Sequence, residues 1–324
     1  MDGGHIPDEL RNAPNLETLV ARAEALNLQP GWTPRVSGGL WREPRTPYQP
    51  AHWKYSDAKA AMDGALRLID TKLAERRNFA MTNPAQNDSM ATLNTLVCAY
   101  QAILPGENAR SHRHSPDAFR IILDSHGAWS CVDGEKHPME TGDIVLTPGM
   151  CWHGHGHDGE RDAYWIDGLN VPMVHRLEPM FFDEHPDGME PIKRTVETSP
   201  FRITGAWQNE ALDSASEDPD GFFGRRIVLD TSSMPAMGIH VYRWAKGVAS
   251  RPYRCTANQA FVVTGGSGTS TIGEETFAWN FGDTFIAPCW SRIEHHAGEE
   301  ATVVAMTDEP VMRFCKFWHF EPRP

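Results

Sequence analysis

The chain has 324 residues, about twice an ordinary domain, so two domains are expected before any motif is read. Its 43 acidic residues against 30 basic ones give a formal charge of −13, which repels phosphate backbones and argues against nucleic acid as a partner. No apolar run approaches bilayer length and the start MDGGHIPDEL lacks the basic and apolar regions of a signal peptide, so a soluble, cytoplasmic protein without membrane contact is expected.

In chain order, Leu16, Leu19, Val20, Ala23 and Leu26 fall on one helical face behind Asn15, a good N-cap, and predict an amphipathic helix over 15–28. Pro-rich residues 30–50 read as an extended arm. Ser56 then caps a second helix in which Ala58, Ala61, Met62, Ala65, Leu66, Ile69 and Leu73 recur at helical spacing. The six cysteines form no CxxC pair and read as free thiols. Together, residues 1–92 form an N-terminal helical arm with an extended segment.

From residue 93 the pattern becomes short strands separated by turn residues: 93–104, 119–123, 128–132, 144–147 and 164–166, with Ser125-His126-Gly127 and Asp133-Gly134-Glu135 as turns. This predicts one antiparallel β-barrel over 93–175. Residues 176–225, rich in Pro, Asp, Glu and Ser, read as a linker with little regular structure. A second barrel follows over 226–324. It repeats the turn residues of the first: Gly127 matches Gly268, Gly134 matches Gly273, Gly142-Asp143 matches Gly282-Asp283, and Pro148 matches Pro288.

The chemistry lies in the first copy. Gly106, His112 and His114 fall at G-x5-H-x-H, and Gly142, Pro148 and His153 at G-x5-P-x4-H. Residues two apart on a strand share a face, so His112 and His114 point into the barrel and His153 arrives on a neighbouring strand. A lone strand histidine is usually a surface residue, but three inside one glycine and proline frame predict a metal site with open positions. Imidazoles alone suit iron, zinc, copper or nickel. The second copy carries Tyr253, Cys255 and Ile293 at the corresponding positions, and Ile293 offers no donor. Apolar Phe261, Val262, Val263, Phe277, Trp279, Phe281, Phe285 and Ile286 suggest that this later barrel is filled and structural.

The three-histidine frame resembles the cupin superfamily. The segments ILPGENARSHRHSPDAFRIIL, DGEKHPMETGDIVLTPGMCWHGHGHDG and YWIDGLNVP resemble the gentisate 1,2-dioxygenase family, which includes salicylate and 1-hydroxy-2-naphthoate dioxygenases. AERRNFAMTNP is similar to that family's helical arm. The resemblance implies an all-β bicupin and an Fe(II) held by His112, His114 and His153. It further implies an extradiol-type dioxygenase that inserts O2 between the carboxyl-bearing and hydroxyl-bearing carbons of a gentisate- or salicylate-type 2-hydroxybenzoate, in a cytoplasmic homotetramer. The glutamate that usually follows the HxH pair in cupins is replaced here by Ala118 and Phe119, as in the gentisate branch.

By the same resemblance, Arg120, His155 and Asp167 are the catalytic candidates, with Arg120 and His155 also binding substrate and Arg76 or Arg77 adding a cation. Val97, Ala99 and Gln101 share the strand face expected to line the pocket, and Val97 stands where relatives often carry Trp, which enlarges the pocket. Arg113, between two inward residues, should face outward. Two other readings use the same ligands: a metal-dependent cupin isomerase or decarboxylase that consumes no oxygen, and a non-enzymatic cupin that binds a small acid.

Overall fold

Each barrel is built from two facing sheets whose strands alternate inward and outward side chains. The computed structural model describes residues 6–32, 39–71, 73–74, 76–86 and 90–323. In the earlier barrel one sheet runs in the order Arg202–Ile203, Ile144–Thr147, Ala118–Asp124, Ala163–Leu169, Val97–Ile103, Arg77–Ala80. The facing sheet runs Phe182–Glu184, Asn108–His114, His153–His157, Ala128–Val132, Glu135–Met139, Arg194–Thr195. The two-residue turn Asp133-Gly134 has φ of 49° and 86°, which suits the primed hairpin turn that matches strand twist.

The later barrel repeats this plan with Ala51–Trp53, Thr284–Ala287, Gln259–Gly265, Ala301–Thr307, Gly238–Trp244 and Arg225–Val228 in one sheet. Glu275–Trp279, Gly268–Ile272, Ile293–Ala297, Tyr253–Cys255 and Phe320–Pro322 form the other. The duplication reaches single backbone angles: Gly106 and Gly247 have φ of 79° and 78°, and the non-glycine pair Met150 and Trp290 have 64° and 67°. One expected match shifts. Gly268 opens a strand, as Ala128 does, so Gly127 is not its counterpart.

The chain divides into two compact units, Met1–Arg45 and Thr46–Pro324. In the first, the helix Leu16–Ala25 is capped as expected, the Asn15 side chain accepting from the Thr18 amide at 2.8 Å, and it buries no residue of its own. Residues 33–38 of the expected extended arm lie outside the described residues. In the second, the helix runs Tyr55–Leu68, with Lys54 rather than Ser56 at its cap, because Ser56 already lies within the first turn. It stops before Ile69, whose backbone is extended.

The stretch expected as an arm therefore lends a strand to each barrel: Ala51–Trp53 pairs with Thr284–Ala287 of the later barrel and Arg77–Ala80 with Val97–Ile103 of the earlier one. Residues 176–225 likewise correct the expectation of an irregular linker. Three short strands there join edges of the earlier barrel, Phe182–Glu184 lying along Asn108–His114, and a helix spans Gly205–Ser214. Their order comes from pairing with an existing edge, which two or three residues cannot advertise in sequence.

A continuous apolar core joins the barrels, with Ile121, Leu146 and Ile166 of the first clustered with Val262, Ile286 and Val304 of the second. Inside the later barrel Phe261, Trp279, Phe285 and Tyr253 pack as a dense aromatic cluster. Phe281, expected in that filling, is 42% exposed and meets Tyr55 edge-on, and Phe277 is only partly buried. The apolar cluster inside the earlier barrel is small, centred on Trp165, Ile122 and Val145, and leaves room for polar groups.

Candidate active site

The strands Asn108–His114 and His153–His157 are antiparallel neighbours with His112 directly opposite His153, and their register shifts between Ala109 and His112. Strand alternation then brings His114 to the same face. Ring centroids of His153 lie 4.3 Å from His112 and 4.8 Å from His114, and one potential ligand atom from each of the three imidazoles falls within 4.8 Å of the others. Among the described residues no other trio of His, Cys, Asp or Glu side chains converges in this way.

Backbone carbonyls fix the rings. Nδ1 of His112 lies 3.3 Å from the Arg110 carbonyl, Nδ1 of His114 2.8 Å from that of Pro116, and Nδ1 of His153 3.1 Å from that of Cys151. Each Nδ1 thus carries the proton, and each Nε2 keeps its lone pair for a metal. Burial, with the charge of Arg76 and the neighbouring His114 ring, pulls His112 down to about 3. His114 and His153 are lowered as well, burial being the main cause in both. Three neutral donors therefore face one point at neutral pH, and they suit a divalent transition metal.

A cavity of about 550 Å³ opens beside His112 and His114. Arg76, Val97, Ala99, Gln101 and Asp167 line it, which brings five of the expected residues to the triad. Behind this wall sits a buried polar network. The Asp167 carboxylate accepts from the Trp165 indole at 2.9 Å and from the Gln101 amide, and it lies 3.5 Å from Nε of Arg120, an ion pair without hydrogen-bond geometry. Arg120 also donates to the Thr147 hydroxyl at 2.6 Å. Burial presses the guanidinium down to about 10 while Asp167 opposes it, so Arg120 stays charged at neutral pH.

His155 lies one step further along the strand of His153, its ring centroid 6.3 Å away. It is 1% exposed, burial and Arg120 lower its pKa well below the ordinary value, and neither ring nitrogen has a hydrogen-bond partner. Two orphaned nitrogens at that depth are costly unless something else meets them.

Arg77 is a correction. Its guanidinium grips Glu107 at 2.5 and 2.9 Å and the Ile69 carbonyl at 2.7 Å, away from the cavity. Alternation explains it, since Arg76, Asn78 and Ala80 line the cavity and the residue between the first two must point elsewhere. Arg113 faces outward as expected and pairs with Asp183 at 2.9 Å.

Residues 99–169 match the family described as "Cupin domain". Over 92% of the chain and 94% of the relative, the sequence is 29% identical to a gentisate 1,2-dioxygenase of Aquipseudomonas alcaligenes. It is also 29% identical to a 5-aminosalicylate 1,2-dioxygenase of Comamonas sp, over 95% of this chain and 90% of that one. The chain is a gentisate 1,2-dioxygenase-like bicupin. The solved salicylate 1,2-dioxygenase of Pseudaminobacter salicylatoxidans shares the fold, with a TM-score of 0.84 over 96% of this chain and 99% of that one, at 23% identity.

Several residues of this bicupin's cavity were not foreseen. Asn78 follows from the alternation just described. Phe182, whose ring stacks on His112 with centroids 5.4 Å apart, lies in the segment read as linker; His175, in the helix that precedes it, is the last residue of the stretch read as the first barrel, and Met90 sits in a loop. Only the fold brings these three to the triad.

Proposed function

We propose that this protein is an Fe(II)-dependent dioxygenase that opens the ring of a gentisate- or salicylate-type 2-hydroxybenzoate. Both atoms of O2 enter the product and the bond between the carboxyl-bearing and hydroxyl-bearing carbons breaks. The observation that carries this reading is the trio of neutral Nε2 donors at the edge of a cavity large enough for an aromatic acid.

Iron, when bound by His112, His114 and His153, supplies the redox chemistry that O2 needs and that zinc lacks. The protein's own groups do the rest. With no carboxylate among the three ligands, the site keeps a net positive character that favours an anionic substrate. Arg76 stands at the cavity wall as a cation for the substrate carboxylate, and Arg120, buried behind Asp167 and outside the cavity lining, adds its charge from beneath the wall. Neutral His155 lies beneath the cavity lining, beside His153, where a ring N–H offered to a substrate oxygen would give one of its two unpartnered nitrogens a use. Asp167 keeps Gln101, Trp165 and Arg120 in fixed orientations, so these groups need not reorganise when charge develops.

Val97 and Ala99 leave one side of the cavity unfilled, which supports a ring-substituted salicylate or bicyclic hydroxy acid as readily as gentisate. Family resemblance supports a homotetramer and a cytoplasmic location, and no described helix is long and apolar enough to cross a membrane. The test is oxygen uptake by protein loaded anaerobically with Fe(II), screened over gentisate, salicylate, nitro- and chlorosalicylates and hydroxynaphthoates. Uptake matched by loss of substrate ring absorbance is expected. Failure with all of them, alongside tight retention of zinc or manganese, would return the isomerase reading.

A further inference from the structure

The later barrel has its own cavity, of about 340 Å³, in the place that the triad occupies in the earlier one. Tyr253 pairs with Ile293 as His112 pairs with His153, and both Tyr253 and Cys255 line the space. Its walls are aromatic: Phe222, Phe223, Tyr242, Tyr253, Trp318 and Phe320. Its floor is polar and buried. Gln259 donates to the Cys255 sulfur at 3.2 Å, and the Tyr242 hydroxyl lies 3.0 Å from Nδ1 of His240.

Cations stand at its rim. The Arg226 guanidinium lies 4.4 Å over the Phe223 ring and shares the cavity lining with Tyr242. Arg313 lies 4.5 Å over Trp318. Arg313 is neutralised by Glu309 at 2.6 Å, but Arg226 has no carboxylate partner among the described residues. The acidic groups at the rim are mostly committed: Asp218 accepts the amides of Asp220, Phe222 and Phe223, and Glu309 is held by Arg313. Asp220 is exposed at the edge. Since arginines already cover three of the aromatic faces, Arg251 lying 4.9 Å over Phe222 as the third, a cationic guest would be repelled. An anion at Arg226 with a flat apolar body among the rings satisfies both features.

We propose that the metal-free barrel binds an aromatic carboxylate, held by Arg226 at the rim and by the Phe222, Tyr253 and Phe320 rings inside, as a second and non-catalytic site. The recognition needs neither metal nor an ortho hydroxyl, so the proposal does not depend on the ring-cleavage reading.

The test is calorimetric titration with 1-naphthoate under argon, comparing Fe(II)-loaded wild type, Arg226→Gln and Phe223→Leu with His112→Ala, which is used without metal. Wild type and His112→Ala are both expected to show a binding site that Arg226→Gln weakens about tenfold or more. Phe223→Leu should weaken the same site, and 1-naphthalenemethanol should not bind there. Arg226→Gln should keep the wild-type turnover measured without naphthoate. Binding indifferent to Arg226→Gln, whatever its stoichiometry, overturns the assignment, as does equal binding of the neutral alcohol. Loss of all naphthoate binding in His112→Ala would place the only site at the triad and overturn it too.

Discussion

His112 faces His153 across one antiparallel register, and their ring centroids lie 4.3 Å apart. Because the Nδ1 atoms of both are tied to backbone carbonyls, the pair is oriented before any metal arrives. Replacing His153 by alanine should therefore abolish binding rather than loosen it. His153→Ala is expected to lower iron content and turnover about a hundredfold or more. Elemental analysis beside circular dichroism checks this, with the far-UV spectrum unchanged because the barrel core does not include the triad.

Asp167 acts through the groups it holds. Asp167→Asn leaves Arg120 buried with Thr147 as its hydrogen-bond partner, and it should cost about 3 kcal/mol of stability. Turnover should fall about a hundredfold while iron stays bound. Urea denaturation and metal analysis on the same preparation separate the two effects.

Cavity size should decide the substrate. Val97→Trp places an indole in a space of about 550 Å³, and it should reduce kcat/KM for 1-hydroxy-2-naphthoate at least about tenfold relative to gentisate. An unchanged ratio would mean that position 97 does not face bound substrate.

Acid should destabilise the fold through histidines far from the triad. Burial lowers His137 and His240 to about 4 and His295 to about 3, against an ordinary value of 6.5. As pH falls through 6.5 the unfolded chain binds these protons while the folded chain does not, so stability rises with pH throughout this window. It is complete above the ordinary value and is lost progressively as pH falls toward about 4, at up to about 1.4 kcal/mol per pH unit for each histidine. Melting temperatures of wild type and His240→Gln between pH 7 and pH 4.5 check this, the variant showing the shallower decline.

The triad was legible because HxH on one strand and a proline-marked strand for the third ligand are a pattern that geometry alone demands. Val97, Ala99 and Gln101 were legible from simple alternation. Arg76 and Arg77 could not be separated until a strand was seen there, since adjacent strand residues must part to opposite faces. The segment around Phe182 was misread because a three-residue strand takes its order from the edge it joins. Phe281 misled for another reason: an aromatic residue beside a turn glycine finds a partner in Tyr55, outside the barrel it was expected to fill.

The segment holding Ala51–Trp53 and Arg77–Ala80 stitches one strand into each barrel, and the Tyr100 hydroxyl of the earlier barrel donates to the Gly282 carbonyl of the later one at 2.8 Å. Thr95 reaches Asp308 in the same way, at 2.5 Å. The half without the histidines is thus a foundation for the half that has them. A gene shortened after residue 225 would encode every candidate ligand and yet yield a torn sheet edge, stranded hydroxyls and an exposed face of Ile121, Leu146 and Ile166.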